Sequence, residues 1–410
     1  MKNRYLQGVL ATAVLVAGTL VAPAFSGSSG AASGGTIQIA SLGALTGALT
    51  SSLGGQPTGV DAWVKYTNAR GGIAGHKIKL AVGDTKSTPG QEAAVIQSLN
   101  SSSHPVAIVG VGTDNLGSAI TYLTQNNLPV VGGNSSDLIW NQSPMLYPQG
   151  ATQLTEVYAL AASQKKGSKF GLIYCVEAPN CAVIKKELFT GGLAKLGGVN
   201  PVYSAQVSLS APSFTAQCLA AKAAGTQVIS LSMDPVDSLR LASNCASQGY
   251  KPIYTATAIA APLSGTGFQT VSANAVNTNL PWTVTKGAGK TFHQAMSKYE
   301  PGKPQTDQAM EGWASGVEFG TAAAIALKTG KPLTSASLQA ALRTFKNQTL
   351  GGLAPPLTFV KKGPEPLSQC WFTSVLNNGV WKPGKGGKTT CAPKSVMPTL
   401  QKMATEGSTS

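Results

Sequence analysis

From Thr36 onward the chain alternates short apolar, β-branched runs with segments whose apolar positions recur every three or four residues. Ile37–Leu42 reads as a strand, Gln56–Asn68 as an amphipathic helix and Lys77–Val82 as a second strand. Thr88 is expected to cap a helix with Pro89 at its first position, reaching about Leu99. Val106–Val111 and Leu128–Val131 read as strands on either side of a helix over Leu116–Gln125. The rhythm then repeats. Helices are expected over Leu154–Gln164, Ala182–Leu196, Ser213–Ala224 and Ser238–Ser247, between strands at Phe170–Tyr174, Val202–Val207, Val228–Leu231 and Pro252–Thr255. Such alternation makes βαβ units, which bury a parallel sheet under helices on both faces. Two similar α/β halves are the expected architecture. The remainder departs from the rhythm: an extended stretch over Ala273–Leu280, helices at Lys290–Tyr299, Asp307–Lys328 and Ser335–Phe345, a Gly/Pro-rich passage at 351–356, and a hairpin of Cys370–Leu376 and Gly379–Lys382 turning at Asn377-Asn378-Gly379. The tail beyond Lys394 is expected to fray.

The amino terminus is read differently. Lys2 and Arg4 precede an apolar run from Leu6 to Val21, followed by small residues with Ala22-Pro23-Ala24 and Ala31-Ala32-Ser33 as cleavage sites. This is the layout of a secretory signal peptide, with an uncleaved anchor as the alternative. No cysteine lies near the cleavage region to carry a lipid. An exported chain meets an oxidising compartment, so the 6 cysteines are expected to form disulfides, and proximity in sequence favours Cys175–Cys181, Cys218–Cys245 and Cys370–Cys391. Right-handed crossovers also place the helices carrying Cys218 and Cys245 side by side. No CxxC spacing exists, and His76, His104 and His293 are far apart, so neither a metal nor any other cofactor is expected.

A length of 410 residues with 42% hydrophobic residues supports a two-domain globular protein and excludes disorder. Charge is sparse but one-sided: 11% of residues are charged, with 31 Lys and Arg against 16 Asp and Glu. Dispersed lysines without interleaved aromatics argue for a solvated basic surface rather than a nucleic-acid site. Catalysis has little support, because there is no GxSxG elbow and no carboxylate pair at a suggestive spacing. The turn Gly110-Val-Gly-Thr-Asp-Asn-Leu-Gly117 follows a strand and opens a helix, where a carboxylate or a neutral polar ligand would fit; its glycines do not match a dinucleotide fingerprint.

The runs Ser41-Leu-Gly-Ala-Leu-Thr-Gly47, Asn68-Ala-Arg-Gly-Gly-Ile-Ala-Gly75, Asp84 with Pro89, Ala107-Ile-Val-Gly110 and Leu128-Pro-Val-Val-Gly-Gly-Asn134-Ser-Ser136 resemble the leucine/isoleucine/valine-binding protein family of ABC importers. The resemblance implies the type I periplasmic-binding fold: two Rossmann-like α/β lobes joined by three crossover segments, near Tyr147–Thr152, Val276–Pro281 and Gly352–Leu357. The amino-terminal lobe would comprise 36–149 and 281–352, the carboxy-terminal lobe 150–280 and 353–394, with 1–33 a signal peptide and 395–410 a flexible tail.

Carried over by position, the ligand contacts fall on Ser52, Thr113, Asp114, Asn134 and Ser136 in the first lobe. In the second they fall on Glu177, Asn180, Asp234 and Ala258, with Trp282 beside the second crossover. Two positions depart from the family's amino-acid binders: Asp114 stands where a small hydroxyl residue holds the ligand carboxylate, and Ala258 where an acidic residue neutralises the ammonium. The implied protein is a secreted or cell-envelope, monomeric binder of a small polar or amino-acid-like molecule. It would close on that ligand by a hinge and deliver it to an ABC permease, without catalysis. A ligand sensor signalling through a partner protein and an extracellular enzyme are the alternatives.

Overall fold

Five parallel strands form the first sheet: β1 (Gly34–Gly43), β2 (His76–Asp84), β3 (Ile108–Gly112), β4 (Val130–Gly133) and β5 (Leu146–Tyr147), in the order β2-β1-β3-β4-β5. The computed structural model describes residues 34–113, 115–258, 261, 272–360 and 365–406. The signal segment expected at 1–33 and the candidate ligand residue Asp114 lie outside them. On β1, Ile37 and Ile39 enter one core while Ala40 and Leu42 enter another, because helices cover both faces of the sheet. This is why the strand is apolar throughout instead of alternating.

The second sheet holds eight strands. They are β6 (Lys169–Cys175), β7 (Asn200–Val207), β8 (Val228–Ser232), β9 (Ile253–Thr257), β10 (Ala273–Asn277), β11 (Cys370–Asn377), β12 (Val380–Pro383) and β13 (Thr390–Cys391). The order runs β12-β11-β10-β9-β8-β6-β7, with β13 paired to β11. Strands β6 to β10 are parallel, and β11 to β13 add an antiparallel edge.

The long helix Asp307–Leu327 returns the chain to the first lobe, where it lies against the helix Gln56–Ala69. Trp63 meets Phe319 edge-on at 6.1 Å and Tyr66 meets Trp313 at 5.3 Å. The helices touch closely because Gly59 lacks a side chain; a Cβ there would come within 1.9 Å of the Ala309 carbonyl oxygen.

Three passages of chain join the lobes, and one side chain ties them together. The Asn279 amide, fully buried on the second crossover, donates to the Gln149 carbonyl at 2.8 Å on the first and to the Leu353 carbonyl at 3.3 Å on the third. Around it lie buried acids. Thr278 donates to Glu311 at 2.8 Å, the Gln56 amide donates to Glu311 at 2.7 Å, and the Asn277 amide donates to Asp307 at 2.7 Å.

Several local expectations are corrected. Thr88 and Pro89 precede their helix rather than opening it: Gly90 is the cap, in left-handed geometry, and the helix is Gln91–Ser103. The segment Leu116–Gln125 begins as a 3-10 turn over Leu116–Ala119 and becomes α-helical only at Ile120–Gln125. The helix expected over Ala182–Leu196 breaks at Gly191-Gly192 into Pro179–Lys185, a wider turn at Lys186–Thr190 and Leu193–Leu196. The tail beyond Lys394, expected to be flexible, forms the helix Met397–Glu406, because Val396, Leu400 and Ala404 supply an apolar stripe that enters the second lobe's core. Cys175 is bonded to Cys181, Cys218 to Cys245 and Cys370 to Cys391.

Candidate functional site

The carboxyl ends of β6, β8 and β9 face the loops that follow β1 and β4, and a cavity lies between them. Leu49, Ser52, Leu53 and Ser136 come from the first lobe; Cys175, Asn180, Ile184, Ser232, Met233, Asp234 and Thr257 come from the second. A second, smaller cavity adjoins it through Leu49, Leu53 and Ala178, and reaches Thr85, Glu92, Thr113, Asn115 and Glu177. Open α/β sheets bind ligands at this place, where strand ends leave a crevice. The lobes are drawn together: the larger space is about 40 Å³. At roughly 10–15 Å³ per water, that holds three or four waters, so an amino-acid-sized molecule needs the lobes to part.

Ser51 and Asp234 bridge the lobes. The Ser51 hydroxyl lies 2.5 and 2.6 Å from the two carboxylate oxygens of Asp234. Asp234 is positioned for this by its own helix. It caps Pro235–Ser247, accepting from the Val236 N–H at 2.9 Å, so its side chain is fixed at the helix start. Sequence reasoning began this helix at Ser238. The signal that places the cap was nevertheless present, as Asp followed by Pro is a typical helix opening.

The short helix Thr50–Leu53 carries both Ser51 and Ser52 into the cleft. Gly112 allows its approach, since a Cβ there would lie 2.0 Å from the Leu53 carbonyl oxygen. In the turn after β3, the hydroxyl of Thr113, a residue expected to contact the ligand, is turned onto a carboxylate of the protein, donating to Glu92 at 2.6 Å.

The remaining candidate residues divide into two groups. Ser136 lines the larger cavity and donates to Glu156 at 3.1 Å. Burial pushes Glu156 up to about 8, a rise that the Ser136 hydroxyl opposes and the nearby Asp307 reinforces. Asn180 lines the same cavity from the first turn of its helix. Glu177 borders the smaller one and accepts from Ser208 at 2.7 Å and the Leu209 N–H at 2.8 Å, which anchors the loop after β7. Asn134, Ala258 and Trp282 are buried but do not line either cavity. Asn134 braces the turn by donating to the Thr113 carbonyl at 3.3 Å. Ala258 follows β9 in its lobe's core, and Trp282 packs on Trp381 with ring centres 6.0 Å apart. Ser51, Glu92, Ser232 and Thr257, which the sequence reading did not select, stand in or beside the cleft.

A family model described as periplasmic binding protein matches residues 36–379. Among solved structures, the chain is similar to an ABC transporter substrate-binding protein from Aeropyrum pernix, with 15% identity, a TM-score of 0.75 and coverage of 91% of this chain and 100% of that one. It is also similar to a branched-chain amino acid ABC transporter protein from Thermus thermophilus with bound valine, at 14% identity, a TM-score of 0.73 and coverage of 91% and 99%. A fatty acid ABC transporter substrate-binding protein from Thermomonospora curvata gives 19% identity, a TM-score of 0.70 and coverage of 90% and 94%. No curated protein matches. With the family's model covering most of the chain and its two-lobed fold in place, the chain belongs to the periplasmic binding protein family.

Proposed function

We propose that the protein is an exported solute-binding protein that captures a small molecule between its lobes and hands it to an ABC permease. The observation that carries this reading is the set of polar groups from two distant parts of the chain, Ser52 and Ser136 on one side and Asn180, Ser232 and Asp234 on the other, converging on one cavity, beside which Ser51 reaches Asp234. The lobes would be 36–149 with 281–352, and 150–280 with the chain from 353 through the final helix. Closure follows from the hinge: a ligand that touches both lobes lowers the free energy of the drawn-together form relative to the parted one. Signal-directed export agrees with three disulfides in a chain of this size.

A thermal-shift screen over amino acids, amides, amines, fatty acids and short peptides tests the proposal. A ligand at about 100 times its dissociation constant adds about 2.7 kcal/mol to stability. A ligand that stabilises the protein and is recovered unchanged supports binding without catalysis. Turnover of that ligand would replace this reading with an enzymatic one.

A further inference from the structure

The charges at the cleft are of one sign. Asp234 lines the larger cavity and Glu92 and Glu177 the smaller, while among the described residues neither cavity is lined by a lysine, arginine or histidine. Asp234 and Glu177 are occupied, the first by Ser51 and its helix cap, the second by Ser208 and the Leu209 N–H. Glu92 is not. It is 4% exposed, one carboxylate oxygen accepts the Thr113 hydroxyl, and the other, Oε2, is buried with no partner. A buried carboxylate oxygen left unpaired is costly, and a cationic donor removes that cost.

From these observations, and on the solute-binding reading above, we infer that the cleft takes a ligand bearing a protonated amine and no free carboxylate, with Glu92 Oε2 accepting from the ammonium. A ligand carboxylate would meet three acidic side chains and no cation, whereas an ammonium meets a ready acceptor. The apolar wall of Leu49, Leu53, Ile184 and Met233 suits a short hydrocarbon portion.

The test compares head groups on a constant four-carbon chain. Calorimetry on the intact protein with n-butylamine, 1,4-diaminobutane, butyramide and butyrate, and with leucine as the zwitterion, is expected to show the amines binding and butyrate and leucine at least tenfold weaker. Glu92→Gln is expected to weaken the amines at least tenfold. The head-group comparison on the unaltered protein stands even where that variant folds poorly. The inference is overturned if butyrate or leucine binds as tightly as the amines, if no amine binds, or if a folded Glu92→Gln protein keeps its amine affinity within twofold. Where no amine binds but a neutral or anionic compound from the wider screen stabilises the protein, only the amine assignment falls. Where nothing binds, the solute-binding reading falls with it.

Discussion

The Ser51 hydroxyl and the Asp234 carboxylate meet across the cleft at 2.5 and 2.6 Å although 183 residues separate them in the chain. The contact latches the lobes directly, and it joins a residue of the short first-lobe helix to the cap of a second-lobe helix. A hydrogen bond to a charged group contributes about 1.5–3 kcal/mol. Ser51→Ala is therefore expected to shift the lobes toward the parted form with little change in melting temperature, read as a larger radius of gyration in solution scattering. Asp234→Ala removes the latch and the cap together, and is expected to cost about 1 kcal/mol of stability besides. Equal scattering profiles for Ser51→Ala and the unaltered protein would show that the latch does not hold the lobes.

The hinge depends on Asn279. Asn279→Ala leaves the Gln149 carbonyl without this donor, at roughly 1–3 kcal/mol for a buried group left unsatisfied, while the Leu353 carbonyl loses one of two donors and keeps the Leu280 N–H at 2.8 Å. The expected outcome is a melting temperature several degrees lower and a ligand affinity weakened more than by Ser51→Ala, because all three crossovers lose a shared anchor. An unchanged melting temperature would contradict that role.

Stability is expected to fall as pH rises from about 5 to 8, opposite to the behaviour of salt-bridged carboxylates. Burial pushes Glu156 and Glu187 up to about 8 and Asp307 up to about 7, from ordinary values of 4.5, 4.5 and 3.8. Between those limits the folded protein holds protons that the unfolded chain releases, so raising the pH favours unfolding, with a slope of about 1.4 kcal/mol per pH unit for each group retaining its proton. Burial also holds Glu318 well above its ordinary value, and neither of its carboxyl oxygens has a partner. Glu318→Gln should leave the melting temperature near that of the unaltered protein at pH 5 and raise it relative to that protein at pH 8. A melting temperature that climbs from pH 5 to pH 8 in the unaltered protein would refute the assignment.

The cysteine bridges differ in what they protect. Cys218–Cys245 closes a span of 27 residues between two helices, with neither cysteine lining a cavity of the cleft, and chain entropy assigns such a loop about 3.5 kcal/mol. Cys175–Cys181 spans 6 residues and lines the cavity. Replacing Cys218 and Cys245 by alanine is expected to lower the melting temperature with ligand affinity retained. Replacing Cys175 and Cys181 is expected to cost less stability and more affinity. A reversal of that order in paired calorimetric and thermal measurements would contradict the placement of the second bridge in the cleft.

The strands and most helices were legible in the sequence because their signals are local: β1 and β3 are apolar runs of strand length, and the helix at Gln56 has a clear apolar face. What escaped was set by distant partners. The tail helix at Met397 has only three or four apolar positions, and it is held by a core that gathers residues from Leu138 to Val276 together with Leu367 and Trp371. Gly90 displaced Thr88 as a cap because a left-handed residue was needed to turn the chain into the helix, which a Thr-Pro pair does not supply. In the site, the family resemblance placed Ser52, Ser136, Asn180 and Asp234 at one cavity. It could not point to Ser51, whose importance lies in the other lobe, or to Glu92, whose burial depends on how its helix packs. Asn134 and Trp282 were expected among the ligand contacts, but their side chains serve the turn and the core.

Capture by lobe closure is tested most directly by the distance between the lobes. Fluorescent labels on cysteines introduced at the exposed positions Val82 and Val236, one on each lobe, report it by single-molecule energy transfer. With a compound that stabilises the protein, the account predicts a shift from a broad or long-distance population to a single short one, and the return of the long distance in Ser51→Ala at subsaturating ligand. A distribution that stays the same as saturating ligand is added would contradict closure as the means of capture.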